Sequence, residues 1–491
     1  MRSRLMLTVA AMLLGAFLLS PFLVKANPAV ASSAESALNP SIVYLPLITS
    51  LIEPAPNSSI VYLPLVIRNF PPLQTLFGAE MGQLASAGEA AANISWTRRN
   101  AVLWSSVEPT EGARNWSALA GLESELQDAS SKGIQVILIV RSTPQWARLL
   151  PGTGPSCGPV QADKLAAFGS FMRDLVVRYS VPPYNVKYWE LWNEPDAPYV
   201  KGNPGYGCWG NPNDAYYGGG YYAEMLKAAY PQIKAADPQA QVLVGGLLLD
   251  CDPRPGAGCA AVGHDPKLSM FLEGILRNNG GAYFDGVSFH TYDYYYPGTL
   301  GQYGNPNWQS SWKTTGPVSV VKARFIQGLL SQYSVSGKFL MDTESAILCN
   351  KCSHDPMFET TKAYYIAQAY AVAIAVGLRA DLWYSVLGWR NSGLLNADLS
   401  PRPAYTALQF SRSELGDATW VRDVTEYPGV KGYEFQRSDR RIWVLWSLDG
   451  NTHSISLPAL PLAAWDALGN SVSQAASMNV DLNPLYLEWN P

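Results

Sequence analysis

The sequence contains few charged residues, and neither sign of charge dominates. Charged residues make up 15% of the 491 positions, and 35 lysines and arginines against 39 aspartates and glutamates leave a net charge of −4. This balance provides no electrostatic footprint for nucleic acid. The chain also lacks the basic clusters that hold proteins to anionic membranes. We therefore expect no nucleic-acid partner, and no membrane partner other than attachment to a cell surface.

Histidine and cysteine are also scarce, with four and six copies. An even number of cysteines in an exported chain permits three disulfides, and local pairing of Cys251 with Cys259 and of Cys349 with Cys352 is the simplest arrangement. Zinc is the alternative, because His354 follows the Cys349-x-x-Cys352 pair. A single pair of this kind is weak evidence for a structural zinc site. We predict no metal and no cofactor.

A phosphate-binding glycine loop is missing as well. Gly218–Gly220 precedes a helical pattern but lacks the G-x-G-x-x-G spacing, which disfavours a doubly wound nucleotide-binding sheet. Aromatic residues, in contrast, are abundant: the chain has 16 tryptophans and 27 tyrosines. Flat rings with one polar atom suit binding surfaces for uncharged polar ligands. Sugars are ligands of this kind.

The N-terminus has the pattern of an export signal. Arg2 and Arg4 precede an apolar run from Leu5 to Leu19, and Ala29-Val-Ala31 resembles a cleavage site. The run is short for a membrane span of ~20 residues. We therefore predict a signal peptide over residues 1–31 and a secreted or extracytoplasmic mature protein.

Residues 32–75 are rich in serine, alanine, proline and asparagine, which predicts a linker. One heptapeptide, SIVYLPL, occurs in it twice, at residues 41–47 and 59–65. Two copies at this spacing are too few and too short for a solenoid. The repeat is interpreted either as two short strands that pack on each other or on the next domain, or as a spacer that attaches the protein to the cell surface.

Short apolar runs alternate with longer helical patterns from residue 76 to residue 400. This alternation predicts eight βα units and a (β/α)8 TIM barrel, with the active residues where strands end. From residue 401 to 491 short strands follow one another, which predicts a small all-β, sandwich-like accessory domain. The predicted barrel strands are Thr75–Met81, Ala101–Ser105, Val136–Val140, Val186–Trp192, Val242–Leu248, Gly286–His290, Lys338–Thr343 and Ala380–Val386.

Two glutamates follow separate predicted strands, Glu194 after the fourth and Glu344 after the seventh. A carboxylic acid that protonates the leaving oxygen and a carboxylate that attacks the anomeric carbon are the requirements of glycoside hydrolysis with retention. Aromatic residues follow strand ends too, and we predict that they bind the sugar. These are Trp104, Trp146, Trp383 and Trp389.

The segment Tyr188-Trp-Glu-Leu-Trp-Asn-Glu-Pro195 resembles the strand-four signature of the clan of retaining (β/α)8 glycosidases. Together with Trp104-Ser-Ser-Val-Glu-Pro109, Gly133-Ile-Gln-Val-Ile137 and Pro144-Gln-Trp146, it resembles glycoside hydrolase families 39 and 5, which include cellulase-like and β-xylosidase-like enzymes. The resemblance covers most of residues 76–400. It implies a secreted glycosidase that acts on β-linked neutral sugars in an oligo- or polysaccharide.

The resemblance also implies roles for individual residues. Glu194 matches the acid/base and Glu344 the nucleophile. Asn193 matches the residue that binds the substrate 2-hydroxyl, and His290 and Tyr292 match residues that line the same subsite, with the tyrosine beside the nucleophile. Because strand side chains alternate between faces, a distortion at the strand end is needed to bring Asn193 and Glu194 to one site.

Three further residues are interpreted as structural or receive no role. Glu190 lies deeper in the fourth strand, where we expect it to pair with a buried cation or hydroxyl. Members of the clan often have an arginine at the end of strand two, but Arg98 and Arg99 precede the predicted strand, so neither is assigned a role.

Two alternatives to an enzyme remain open: a non-catalytic carbohydrate-binding protein on a glycosidase scaffold, and a cell-surface attachment protein.

Overall fold

The computed structural model describes residues 43–46, 62–65, 75–81, 94–150, 152–154, 158–197 and 209–491. The predicted signal peptide, Cys157 and Cys208 lie outside these residues. The chain divides into two compact units, Met1–Phe70 and Pro71–Pro491.

In the first unit, the two copies of the repeat form one small antiparallel sheet. Its strands are Val43–Pro46 and Tyr62–Leu65, with Val43 opposite Leu65 and Pro46 opposite Tyr62. Of the two interpretations of the repeat, the structure therefore contains strands that pair with each other. A role in cell-surface attachment stays a prediction.

The second unit begins with a closed barrel of eight parallel strands. Each strand pairs with the next along the chain, and β8 pairs with β1 to close the ring. The predicted TIM barrel is confirmed. The strands are β1 (Phe77–Ala79), β2 (Trp96–Leu103), β3 (Gln135–Arg141), β4 (Tyr188–Asn193), β5 (Gln241–Leu247), β6 (Gly286–Tyr295), β7 (Phe339–Leu348) and β8 (Leu378–Trp383).

The prediction for the second strand is wrong by five residues at its start. β2 begins at Trp96, so Arg98 and Arg99 lie inside the strand and not before it. Arg98 is buried, and its charge is matched by carboxylates from other strands. A buried cation breaks the apolar pattern by which a strand is recognised, which explains the error.

Helices surround the barrel in the usual βα order. They are α1 (Trp104–Val107), α2 (Ala120–Ser131), α3 (Leu165–Tyr179), α4 (Gly219–Ala236), α5 (Gly258–Val262), α6 (Phe271–Arg277), α7 (Ser319–Gln332), α8 (Pro356–Ala375) and α9 (Pro403–Leu415). Most of the buried apolar side chains form one core between strands and helices. A smaller cluster that includes Trp96, Ile137, Leu243 and Met341 fills the barrel interior. Within the described part of the chain, none of these helices combines the length and apolar character needed to cross a membrane.

From Thr419 onward the C-terminal region is an antiparallel all-β structure, as predicted, but helix α9 occupies the start of the predicted all-β range of residues 401–491. Five strands form one sheet in the order β9-β10-β11-β15-β13, and β12 pairs with β14. Phe410 and Ser411 of α9 contact Tyr486 of this sheet, with a ring separation of 5.1 Å and a hydrogen bond of 2.9 Å. The strands are β9 (Thr419–Val424), β10 (Val430–Gln436), β11 (Arg441–Ser447), β12 (His453–Ser456), β13 (Ala463–Trp465), β14 (Ser477–Val480) and β15 (Leu485–Trp489).

Both predicted local disulfides are present. Cys251 is bonded to Cys259, and Cys349 is bonded to Cys352. Because the sulfurs of Cys349 and Cys352 are bonded to each other, neither is a thiolate that could hold zinc, and the zinc alternative fails at this pair.

Candidate active site

The end of β4 carries the distortion that the sequence required. The backbone φ angle is +75° at Trp192 and +45° at Glu194, in the left-handed region that non-glycine residues seldom adopt. Asn193 Oδ1 consequently accepts a hydrogen bond from Arg98 Nη2 at 2.6 Å, while Glu194 Oε1 lies 2.9 Å from His290 Nδ1. Neighbouring residues of one strand therefore contribute to the same site.

Glu344 lies inside β7, and not after the strand as predicted, because the strand continues to Leu348, and it coincides with a second irregularity of the backbone. The pairing of β7 with β6 shifts register between Asp342 and Glu344, and the pairing with β8 shifts between Asp342 and Ser345. Both carboxylate oxygens of Glu344 are bound: Oε1 accepts a hydrogen bond from Arg98 Nη1, and Oε2 accepts one from the hydroxyl of Tyr292. The carboxylate is therefore fixed from two sides by β2 and β6.

The two glutamates meet around His290. One carboxylate oxygen of Glu194, one ring nitrogen of His290 and one carboxylate oxygen of Glu344 lie within 4.8 Å of one another. His290 Nε2 is 3.5 Å from Glu344 Oε1. Gly246 of β5 makes room for this arrangement, since a Cβ there would lie 2.2 Å from His290 Nε2. Glutamate and histidine are also metal-binding residue types, and the absence of a metal from this site stays a prediction.

Burial gives the site its electrostatic character. It raises the pKa of Glu194 to about 7 and lowers the pKa of His290 to about 4. Near pH 7 the histidine is therefore neutral, while Glu194 is close to its titration midpoint and can both release and take up a proton. A carboxyl that holds its proton near neutral pH is suited to general acid catalysis.

Arg98 is the cation that binds these carboxylates, and it is an arginine to which the sequence assigns no role because the predicted strand begins after it. Its guanidinium donates to Glu190 through Nε at 3.1 Å and through Nη2, and it also binds Glu344 and Asn193. The expectation that Glu190 pairs with a buried cation is confirmed. Arg98 and Glu190 are both almost fully buried, so their charges depend on each other.

Two further residues lie at the rim of the barrel, where its strands end, and they were not singled out in the sequence. Glu80 directly follows β1 and lies 3.6 Å from Arg98 Nη1. Tyr384 directly follows β8, and its ring centroid lies 6.2 Å from that of Tyr292. Both occupy strand ends, which is the signal that could have identified them.

The predicted sugar-binding tryptophans fall into two groups. Trp389 is 43% exposed and lies edge-on to Tyr292, with ring centroids 5.7 Å apart, so it borders the site. Trp146 is half-buried and donates from Nε1 to the carbonyl of Glu108, and its role stays a prediction.

Trp104 and Trp383 do not border the site. Trp104 is fully buried, its Nε1 donates to Glu108 Oε2 at 2.6 Å, and its ring stacks on Phe171. Trp383 is 1% exposed, and its Nε1 donates to the carbonyl of Ser392 at 2.8 Å. Neither ring has a face free for a sugar, so the prediction that these two residues bind substrate is wrong.

Solved structures share this architecture. A family 39 glycoside hydrolase from Bacteroides cellulosilyticus WH2 is 18% identical, with a TM-score of 0.62, over 87% of this chain and 84% of that chain. The chain has the fold of glycoside hydrolases. A family 30 endoxylanase from Clostridium papyrosolvens C71 is 12% identical, with a TM-score of 0.54, over 85% of this chain and 98% of that chain.

A family 39 β-xylosidase from Caulobacter crescentus is 16% identical, with a TM-score of 0.51, over 86% of this chain and 97% of that chain. No family model matches the sequence, and no curated protein matches it. The likeness to solved structures therefore concerns the fold.

We expect Arg98→Met to lower the free energy of unfolding by ~3–5 kcal/mol, because it leaves Glu190 charged and buried without its cation. The double variant Arg98→Met/Glu190→Gln should recover part of this loss. Chemical denaturation measures both free energies of unfolding, with Lys132→Met as a control. Lys132 forms an exposed pair with Asp128, and its loss should cost at most about 1 kcal/mol. Equal losses of stability for Arg98→Met and Lys132→Met would contradict the assigned role of Arg98.

Proposed function

We propose that the protein is an exported retaining glycoside hydrolase that acts on β-linked neutral sugars. The observation that carries the proposal is the pair of carboxyls of Glu194, after β4, and Glu344, in β7, with one oxygen of each carboxyl within 4.8 Å of one oxygen of the other. Retaining glycosidases hold their two carboxyls ~5–5.5 Å apart, whereas inverting enzymes need ~6.5–9.5 Å to admit a water molecule. The separation supports retention.

In the first step, Glu344 attacks the anomeric carbon as the bond to the leaving oxygen breaks. Glu194 gives its proton to that oxygen, so the aglycone leaves as a neutral alcohol and Glu194 becomes a carboxylate. The product is a glycosyl ester of Glu344. The contacts to Arg98 and Tyr292 fix the attacking carboxylate, so that little reorientation precedes the attack.

In the second step, Glu194 acts as the base. It removes a proton from water, the water oxygen bonds to the anomeric carbon, and Glu344 leaves as a carboxylate. The sugar retains its configuration after two displacements, and both glutamates return to their starting states. Neutral His290, 2.9 Å from Glu194, orients the acid/base carboxyl without competing for its proton.

The surrounding residues would bind the sugar. Asn193 is held by Arg98 beside the nucleophile, where it can reach the 2-hydroxyl. Trp389 offers an exposed ring at the rim for stacking on a sugar face. Because glutamates outnumber the cations that contact them at this rim, a neutral sugar suits the site better than an anionic one.

Two observations suggest where and on what the enzyme acts. Disulfides persist in oxidising compartments, and the described part of the chain contains two, which supports export. Solved structures with this fold include an endoxylanase and a β-xylosidase. Aryl β-xylosides and xylan are therefore the first substrates to test, followed by aryl β-glucosides.

Substitution of the two glutamates should have different effects. Glu344→Gln should abolish turnover of every substrate, because no covalent intermediate can form. Glu194→Ala should slow hydrolysis of unactivated glycosides by roughly 10²–10⁴-fold but retain the first step on 2,4-dinitrophenyl glycosides, whose leaving group needs no proton. Azide should accelerate this variant and yield a β-glycosyl azide, since azide attacks without a base. Steady-state kinetics and product analysis provide the measurement.

Glu224→Gln, on the outer surface of α4, is the matched control and should behave as the wild type. If Glu194→Ala and Glu344→Gln responded alike to leaving group and azide, the assigned roles would be wrong. A wild-type protein that binds xylo-oligosaccharides but cleaves no glycoside would support the non-catalytic binding protein instead.

The pH profile should report the Glu194 carboxyl. Its pKa is raised to about 7 by burial, and the acid must be protonated for the first step, so kcat/KM should fall as the pH rises above about 7. Glu194→Ala should lose this basic limb on 2,4-dinitrophenyl glycosides. An unchanged basic limb in the variant would show that another group supplies the proton.

A further inference from the structure

A third carboxyl lies at the rim and has no part in the proposed chemistry. Glu80 follows β1, and its side chain is partly exposed toward the rim. Its Oε2 atom is buried and makes no hydrogen bond with any described residue. A buried polar atom without a partner is costly, so such an atom beside a reaction centre points to a ligand that completes it.

Arg98 does not satisfy this oxygen. Nη1, which is the guanidinium nitrogen nearest to Glu80, donates to Glu344, and Glu80 Oε2 lies 3.6 Å from it, beyond hydrogen-bonding distance. Burial, together with the charge of Glu344, raises the pKa of Glu80 to about 8. Near pH 7 the group is mostly a neutral carboxylic acid, which can both donate and accept a hydrogen bond.

The order of the strands places Glu80 on the side where the sugar ring must lie. Going around the barrel, β5 and β6 separate β4 from β7 on one side, and β8, β1, β2 and β3 separate them on the other. His290 and Tyr292 of β6 fill the first side and contact both catalytic carboxyls. In the proposed reaction this leaves the second side, toward Glu80 and Tyr384, for the ring of the sugar.

We propose that Glu80 is a specificity-determining residue that hydrogen-bonds hydroxyl groups of the glycone remote from its anomeric carbon, at C3 or C4. The inference rests on the proposed hydrolase function and adds to it the part of the substrate that the enzyme selects. A sugar hydroxyl can donate to the unpartnered Oε2 and accept from the protonated carboxyl, which satisfies both groups.

The test is a cycle that combines protein and substrate changes. The substrates are whichever of the 4-nitrophenyl β-xyloside and β-glucoside the wild type cleaves faster, and its 2-deoxy, 3-deoxy and 4-deoxy analogues. For wild type, removal of the hydroxyl bound by Glu80 should lower kcat/KM by about ten- to a hundredfold. In Glu80→Ala the same removal should change kcat/KM less than threefold or so, because the partner is already gone.

The 2-deoxy analogue is the internal control. Removal of the 2-hydroxyl should lower kcat/KM by the same factor in wild type and in Glu80→Ala, because this hydroxyl is assigned to Asn193. Glu80→Gln retains a hydrogen-bond donor and an acceptor, so removal of the bound hydroxyl should still lower kcat/KM of this variant. Glu80→Gln therefore tests the inference even if Glu80→Ala folds poorly. Surface variant Glu224→Gln should match wild type throughout.

If Glu80→Ala and Glu80→Gln lower kcat/KM by one constant factor on all four substrates, the inference is overturned, because Glu80 then acts only through Arg98. If wild type cleaves neither aryl glycosides nor xylan, the proposed function fails and the inference fails with it. If wild type is active but removal of the 3- or 4-hydroxyl lowers kcat/KM equally in wild type and in Glu80→Ala, only the inference about Glu80 is wrong.

Discussion

The contact between the Arg98 guanidinium and the carboxylates around it is the interaction on which the rim depends. Arg98 is in β2, Glu190 and Asn193 are in β4, and Glu344 is in β7, so one side chain joins three strands at the top of the barrel. Burial makes these charges mutually dependent, since a buried charge without its partner is costly. The position of Glu344, the proposed nucleophile, is thereby coupled to the stability of the barrel.

The two carboxyls proposed to be catalytic have different environments, and that difference suits each to its proposed role. Glu344 is bound at both oxygens, by a cation and by a phenol. Glu194 is buried beside a neutral histidine, and its pKa is raised to about 7. In the proposed reaction, one group is held ready to attack and the other gives its proton to the leaving oxygen. Backbone distortions after β4 and within β7 bring the pair together.

Much of this site could be predicted because its residues lie at or just after the ends of the strands predicted from sequence. The alternation of apolar runs and helical patterns is enough to place eight strands, and Glu194 and Glu344 then follow from their positions. Arg98 could not be recognised, because its partners Glu190 and Glu344 lie 92 and 246 residues away in the chain. Arg98 and Arg99 are adjacent in the sequence, and two neighbouring arginines indicate an exposed segment when their partners are unknown.

The tryptophans show a second limit. Side chains of a strand alternate between its two faces. If a residue's position in the strand is predicted wrongly by one, its side chain is assigned to the site at the barrel rim when it in fact lies on the side covered by helices. Trp383 lies on the buried side, and its neighbour Tyr384 contacts the site. Register shifts within β2 and β7 interrupt this alternation close to Arg98 and Glu344, so the faces of these strands cannot be assigned from sequence there.

The most direct test of the account is the identity of the residue that becomes esterified. A 2-deoxy-2-fluoro glycoside with a 2,4-dinitrophenolate leaving group slows the second step, so the glycosyl-enzyme accumulates, and peptide mass spectrometry locates the sugar. We predict one sugar per chain, on the peptide and side chain of Glu344. Labelling of another carboxyl, such as Glu80 or Glu194, or unlabelled protein that still hydrolyses the parent glycoside, would contradict the account.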